Sequence, residues 1–282
     1  MFLYFFFSLP VAEEWTVVCT VDAETADIVS LYLFDAEATA ISEKEAGNSI
    51  VLRAGFPDEA SARSAVTLVD DRVPSATCRA LLDTSQDDWI EAQRQGLSPT
   101  TVRGWNIRAP WHSASTTPEQ DIVIDPGAAF GHGAHHSTRL AADLLLRILQ
   151  PGDTVVDLGT GTGVIAILAA KVGANVRAIE DDPVAVDVAA ANIERNGVGS
   201  RVELITGDAG STRITPTDIV VANVTLDVHR LIASNYERAH RVIVAGILCS
   251  QVSALSTLFE THIPTIISTS GEWAAIDLVF SG

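Results

Sequence analysis

Residues 154–173 read TVVDLGTGTGVIAILAAKVG. A short, β-branched apolar run ends on an acid, Asp157. Three glycines then alternate with threonines, and an apolar helical stretch follows, closed by Gly173. Strand, glycine turn and helix are therefore expected in that order. A strand that is apolar on both faces belongs to a parallel sheet covered by helices. Working outward, the same rhythm repeats. STRLAADLLLRIL, 137–149, reads as a helix with an N-cap signal at Ser137. NVRAIE is a strand ended by DDP, and VAVDVAAANIERNG is a helix ended by glycine. RVELITGD and TDIVVAN are strands, VHRLIASNYERAH a helix, RVIVAGI a strand and SQVSALSTLFE a helix. IPTIIST and EWAAIDLVF follow so closely that an antiparallel edge is expected. The alternation predicts a Rossmann-like, seven-stranded α/β domain over residues 121–282.

Before residue 83 the pattern is different. Trp15–Val21 alternates as a strand, Ala23–Leu33 has helical spacing, and Ala38–Ser42 and Ser49–Ala54 flank the turn signal EKEAGN. Pro57–Leu68 reads as a helix and Thr77–Leu82 as a strand. The order β-α-β-β-α-β predicts a small α+β, ferredoxin-like domain over residues 1–82. Residues 83–120, rich in Ser, Thr, Pro and Trp, read as a linker. Within it DDWIEAQRQ suggests a short helix, and RGWNIRAPW a strand ended by Pro110.

Lys plus Arg number 18 against 36 Asp plus Glu, a net charge of -18. Such a surface repels nucleic-acid phosphates and anionic membranes and favours a basic partner. The cysteines Cys19, Cys78 and Cys249 are far apart and odd in number, which argues against a disulfide framework or a cysteine-based zinc site. A reducing, cytoplasmic setting is expected. The opening MFLYFFFSLPVAEE has no basic residue ahead of its apolar run and is shorter than the roughly 20 residues that span a bilayer. It reads as an extension of the first strand region or as a start assigned too early. No other stretch has the length and apolarity of a membrane span.

In open α/β sheets, ligands bind beyond the carboxyl ends of strands where strand order reverses. The turn DLGTGTG stands at such an end. Glycines let a ligand approach the backbone, and the amides opening the next helix favour a negative group. GTGVIA, Gly161 to Ala166, fits the dinucleotide fingerprint G-x-G-x-x-G/A loosely. An acid followed by three alternating glycines is instead the first motif of S-adenosylmethionine-dependent methyltransferases. Asp157 favours that reading, because a carboxylate repels a pyrophosphate and attracts an ammonium group. Glu180, ending the next strand, has the reach to accept both hydroxyls of a ribose, which either ligand carries. Asp181 and Asp182 read as solvated loop acids. Asp208, ending the third strand, either approaches an adenine amino group or closes a turn. Asn223 ends the fourth strand, beside the glycine turn, where its amide and the adjacent carbonyls can accept hydrogen bonds from an amine.

Several motifs in order resemble the ribosomal protein L11 methyltransferase family. DPGAAFGHGAHHST, from Asp125, is similar to the family's DPG-x-AFGTGTHPTT, and DLGTGTGVIAI to its D-x-G-x-G-x-G-I-L-A-I. IEDDP resembles IDIDP, NIERNGV resembles N-x-x-x-NGV, VVANVTLDVHRL resembles VVANILAGPLREL, and AGILCSQ resembles SGILASQ. The likeness runs from Trp15 to Phe280 and is strongest from Asp121 to Gln251. It implies a methyltransferase that uses S-adenosylmethionine to methylate lysine or N-terminal amines of a basic protein, ribosomal protein L11. It further implies a small N-terminal domain that holds that protein. Thr138, Gly159, Glu180 and Asn223 fall on the family's cofactor contacts, with Gly161 in the same turn, and Phe130 on the loop aromatic that encloses the cofactor. No residue is assigned as a catalytic base. Alternatives are another protein or a small amine as acceptor, a non-catalytic module that retains the cofactor, and an NAD-dependent oxidoreductase.

The chain departs from the family at His132 for Thr, His136 for Pro, Glu180 for Asp, and Val224-Thr225 for Ile-Leu. His132, His135 and His136 crowd a glycine-rich loop. A metal site needs convergent geometry and usually a further ligand, and no cysteine lies nearby in the sequence. The loop is read as a flap over the cofactor, with no metal.

Overall fold

The computed structural model describes residues 14–38, 40–47, 49–83, 98–127, 129, 131, 133–212, 214–259 and 261–281. The opening apolar stretch, the helix expected over DDWIEAQRQ, Phe130 and His132 lie outside the described residues. The chain divides into two compact units, Met1–Gly96 and Leu97–Gly282.

The first unit contains β1 (Glu14–Val21), α1 (Ala26–Asp35), β2 (Ala40–Ala46), β3 (Ser49–Phe56), α2 (Glu59–Arg72) and β4 (Thr77–Asp83). Its sheet runs β2-β3-β1-β4 with every pairing antiparallel, the split-βαβ order. Alternation along β1 sends Val17, Cys19 and Val21 inward onto Leu33, Leu52, Phe56 and Val69. The second helix starts at Glu59, not at Pro57, because the Asp58 carboxylate accepts the Ser61 amide at 2.8 Å and caps it.

Cys19 and Cys78 stand opposite each other on β1 and β4 and form a disulfide. This corrects the expectation drawn from cysteine spacing. The two residues are 59 apart in sequence, and only strand register brings them together. Cys249 is free and exposed.

The second unit opens with β5 (Thr100–Val102), β6 (Trp105–Arg108) and β7 (Asp121–Val123). These form a small sheet in which β6 pairs antiparallel with β5 and parallel with β7. Much of the stretch read as a linker is thus ordered, and β7 leads directly into the DPG loop. Then follow α3 (His136–Ile148), β8 (Thr154–Leu158), α4 (Val164–Val172), β9 (Asn175–Glu180), α5 (Pro183–Arg195), β10 (Val202–Thr206), β11 (Thr217–Asn223), α6 (Leu226–Tyr236), β12 (Ala239–Leu248), α7 (Val252–Ser256), β13 (His262–Ser270) and β14 (Trp273–Phe280).

Their sheet runs β10-β9-β8-β11-β12-β14-β13. The strands from β10 to β12 are parallel, and β14 is antiparallel to both of its neighbours, as the short final connection required. Strand order reverses at β8, which lies between β9 and β11, so the carboxyl ends of those three strands face one crevice. Val155, Val156 and Leu158 of β8 and Val220, Val221 and Ala222 of β11 are buried, as expected of strands covered on both faces. An acidic side chain enters this core away from the crevice. Asp277 of β14 is fully buried, pairs with Arg241 of β12 and accepts from the Thr265 hydroxyl of β13 at 2.7 Å. Among the described residues no helix is long and apolar enough to cross a membrane.

Candidate active site

The glycine turn leaves β8 with Gly159, Gly161 and Gly163 all in the left-handed region, at φ of 70, 54 and 83°. Gly159 is constrained twice. A Cβ there would lie 2.7 Å from Cγ1 of Val224, and its amide donates to the Ile179 carbonyl at 2.9 Å. The turn is thereby tied to the end of β9. Asp157, fully buried at the end of β8, accepts from the Thr160 hydroxyl at 2.6 Å. Burial pushes its carboxyl up to about 7, aided by the nearby Glu180 charge and opposed by the Thr160 bond.

That shift has a signed consequence. A raised carboxyl favours the protonated folded state, so its contribution is complete below the ordinary carboxylate range and is lost as pH rises through about 7. The ligand-free protein should therefore lose more stability than Asp157→Asn between about pH 5 and 8. A cation bound beside Asp157 reverses the preference and expels the proton. Calorimetry near pH 7 in two buffers of different ionisation enthalpy should detect release of up to about half a proton per ligand. Buffer-independent heats would refute this.

Glu180 is buried at the end of β9. Its Oε2 accepts the Gly161 amide at 2.7 Å, and its Oε1 accepts the amides of Asp181 at 3.1 Å and Asp182 at 3.3 Å. Burial raises its pKa, and these three amides oppose the rise. A carboxylate has about four acceptor positions, and the three amides leave one of them, on Oε2, for a hydroxyl. Asp182 caps α5 by accepting the Val184 amide at 2.9 Å. Asp208 accepts the Gly210 amide at 2.7 Å, a plain turn role.

Asn223 ends β11. Its Nδ2 donates to the Thr138 hydroxyl at 3.3 Å, joining β11 to the first turn of α3. Its Oδ1 is buried and accepts no hydrogen bond. A buried unpaired amide oxygen costs roughly 1–3 kcal/mol, so it marks a place where a donor belongs. The following residue, Val224, is wedged between two glycines: its side chain abuts Gly159, and a Cβ on Gly246 would come within 2.4 Å of its carbonyl oxygen. Below it, His229 is fully buried, with Nε2 bonded to the Ala245 carbonyl at 2.8 Å and Nδ1 to the Tyr236 hydroxyl at 2.5 Å. Burial lowers the His229 pKa to about 4, so the ring is neutral.

The two described histidines of the loop, His135 and His136, are spent on structure. His135 caps α3, two residues earlier than the expected Ser137, because its Nδ1 serves as acceptor for the Ser137 amide at 3.3 Å. Its ring packs edge-on against Trp273 at 4.6 Å. His136 Nδ1 meets the Ser270 hydroxyl at 2.6 Å. Among the described residues no cluster of three metal-ligating side chains exists. Chelator treatment should leave activity unchanged; stoichiometric zinc surviving dialysis would contradict that.

The fold thus gathers the expected residues into two linked pairs. Gly161 and Glu180 meet at the end of β9, Thr138 and Asn223 meet at the end of β11, and Gly159 touches Val224 between them. Asp208 is not brought in by its side chain. Sequence reasoning assigned no role to Thr162 or to Asn192, which it quoted only within the NIERNGV motif. Asn192 donates to the carbonyls of Asp125 and Thr162 at 2.9 and 3.0 Å, and Thr162 donates to that of Gly131 at 2.6 Å. The available signal was the spacing of Asn192 and Asn196, four apart and so on one face of a helix.

A reversing parallel sheet, an acid before a triple-glycine turn, and a second acid one strand over define the class I S-adenosylmethionine-dependent methyltransferase fold. Ribosomal protein L11 methylase from Lactobacillus delbrueckii subsp. bulgaricus shares it, with a TM-score of 0.60 at 24% identity over 66% of this chain and 100% of that one. The family described as ribosomal protein L11 methyltransferase (PrmA) matches residues 15–280, and the chain belongs to that family. Relatives named ribosomal protein L11 methyltransferase include one from Thermus thermophilus, 40% identical over 59% of this chain and 66% of its own length. Another, from Cupriavidus necator, is 32% identical over 90% of this chain and 86% of its own. A third, from Desulfitobacterium hafniense, matches over 51% of its own length, so the chain spans about half to two thirds of several of these relatives.

Proposed function

We propose that this protein transfers methyl groups from S-adenosylmethionine to lysine or N-terminal amines of a basic protein, ribosomal protein L11. The observation that carries the reading is the buried, unpaired Oδ1 of Asn223 beside the glycine turn. It is an acceptor waiting for an N–H donor at the carboxyl edge of the sheet. The names of the relatives support the substrate.

The residues fit the donor. The left-handed turn at Gly159 and Gly161 presents its backbone to the donor, Glu180 keeps an acceptor position for a ribose hydroxyl, and Thr138 and Asn223 stand on the acceptor side. Asp157 attracts its positive charge. When bound, S-adenosylmethionine would supply an electrophilic methyl group, to which the neutral amine nitrogen bonds in line as the carbon–sulfur bond breaks and the thioether leaves, the extra proton on nitrogen passing to solvent. The protein's part is to orient and desolvate the amine. A lysine has a solution pKa of ~10.4, and a poorly hydrated pocket lowers it by disfavouring the charged form. Asn223 Oδ1 then accepts from the neutral amine and aims its lone pair. No side chain is needed as a base.

On this reading residues 1–82 hold the protein substrate, 83–120 connect, and 121–282 carry the chemistry. The net charge of -18 suits a lysine-rich partner and disfavours direct nucleic-acid or membrane binding. A cytoplasmic setting follows from a ribosomal substrate rather than from the cysteines. The test is transfer of radiolabelled methyl from S-adenosylmethionine into unmethylated ribosomal protein L11. Label on its amines is expected. Donor binding with no labelled acceptor would favour a binding module and refute the proposal.

A further inference from the structure

We infer that Asn192, acting with Thr162, is a positioning residue that couples the glycine turn to the DPG loop, so that a ligand held at the turn also fixes the loop. This rests on the methyl-donor reading above. Asn192 is fully buried on α5. Its amide pairs with the backbone of Asp125 as a neighbouring strand would: Oδ1 accepts the Asp125 amide at 2.9 Å, and Nδ2 donates to the Asp125 carbonyl at 2.9 Å. The second hydrogen of Nδ2 goes to the Thr162 carbonyl, inside the glycine turn, at 3.0 Å. Thr162 completes the link in the other direction, donating its hydroxyl to the Gly131 carbonyl at 2.6 Å. The loop is therefore held at Asp125 and at Gly131, and both holds converge on Thr162. A Cβ on Gly131 would sit 3.1 Å from the Thr162 hydroxyl, so the approach is close as well as bonded.

Asn196 supplies the contrast. One helical turn on, it pairs in the same two-point way with Val123, at 2.9 and 2.7 Å, but makes no bond to the turn. Both asparagines satisfy backbone groups of the segment leading into the loop. Only Asn192 also reaches the cofactor turn. A bystander that merely satisfies backbone would behave like Asn196.

The experiment compares the full chain with Asn192→Asp, the isosteric Thr162→Val, and Asn196→Ala. Two quantities are read: affinity for S-adenosylhomocysteine by calorimetry, and hydrogen exchange of the Asp125 amide with and without that ligand. Asn192→Asp keeps the acceptor for Asp125 and loses both donated bonds. In the unaltered chain the ligand should slow Asp125 exchange. Asn192→Asp and Thr162→Val should each abolish that slowing and weaken affinity about tenfold. Asn196→Ala should lower Tm yet keep the slowing, with affinity within about twofold. If Asn192→Asp does not fold, Thr162→Val decides alone. Slowing and affinity retained in Thr162→Val, or lost equally in Asn196→Ala, would overturn the coupling and leave the methyl-donor reading intact. No binding of S-adenosylhomocysteine by the unaltered chain would overturn both.

Discussion

Asn223→Ala should lower kcat by about 100-fold or more, the loss typical when one preorganised hydrogen-bonding group is removed from a reacting centre. The effect should fall on turnover rather than on the fold. The one side-chain bond that Asn223 makes among those described is the 3.3 Å contact with Thr138, and its Oδ1 is unpaired. Removing an unsatisfied oxygen relieves the folded state of a penalty, which offsets the lost contact. Stability should therefore stay within about 1 kcal/mol of the unaltered protein. Steady-state kinetics with ribosomal protein L11 and a denaturant titration check both halves. Full activity in the variant would remove Asn223 from the acceptor site. A large stability loss would make its role structural.

The second large effect is expected at Gly159. Gly159→Ala forces an L-residue into φ of 70° and sets a Cβ 2.7 Å from Val224 Cγ1. The left-handed conformation alone costs about 1–2 kcal/mol. The clash displaces Val224, which adjoins Asn223 and is already held from the other side by Gly246. Affinity for S-adenosylhomocysteine should fall about 100-fold, or about 2.7 kcal/mol. Gly197→Ala is the matched control, because Gly197 has φ of 67° but open space around its would-be Cβ. It carries the same backbone penalty and should lose only stability. Equal affinities for the two variants would show that the crowded approach at Val224 does not govern binding at the turn.

The fold was legible because its signals are local. Apolar, β-branched runs such as TVVDL and DIVVAN, punctuated by Gly159, Gly173 and Pro183, declare buried parallel strands and their crossovers without reference to the rest of the chain. The grouping of the expected site residues was legible for the same reason: strand ends and glycines are read in sequence, and strand order then brings Asp157, Glu180 and Asn223 to one edge. What was not legible depends on register and on long-range pairing. The Cys19–Cys78 bond follows from β1 and β4 facing each other at one particular residue pair, which spacing does not encode. The strand in RGWNIRAPW was legible, but its place in a sheet with β5 and β7 was not, because β7 lies beyond an irregular stretch. Asn192 stood in the NIERNGV motif with no role attached to it. Its burial is set by the Asp125 backbone, 67 residues away. The crowding of histidines was legible as something other than a metal site, but the uses of His135 and His136 in a helix cap, an aromatic contact and a bond to serine were not.

The central claim is a crevice at the ends of β8, β9 and β11 that takes a sulfonium nucleoside. Isothermal titration of the whole chain with S-adenosylmethionine, S-adenosylhomocysteine and NAD tests it most directly. The account predicts saturable heat with the first two, weakened by Gly159→Ala, and none with NAD. Saturable binding of NAD with no heat from either sulfur nucleoside would contradict it.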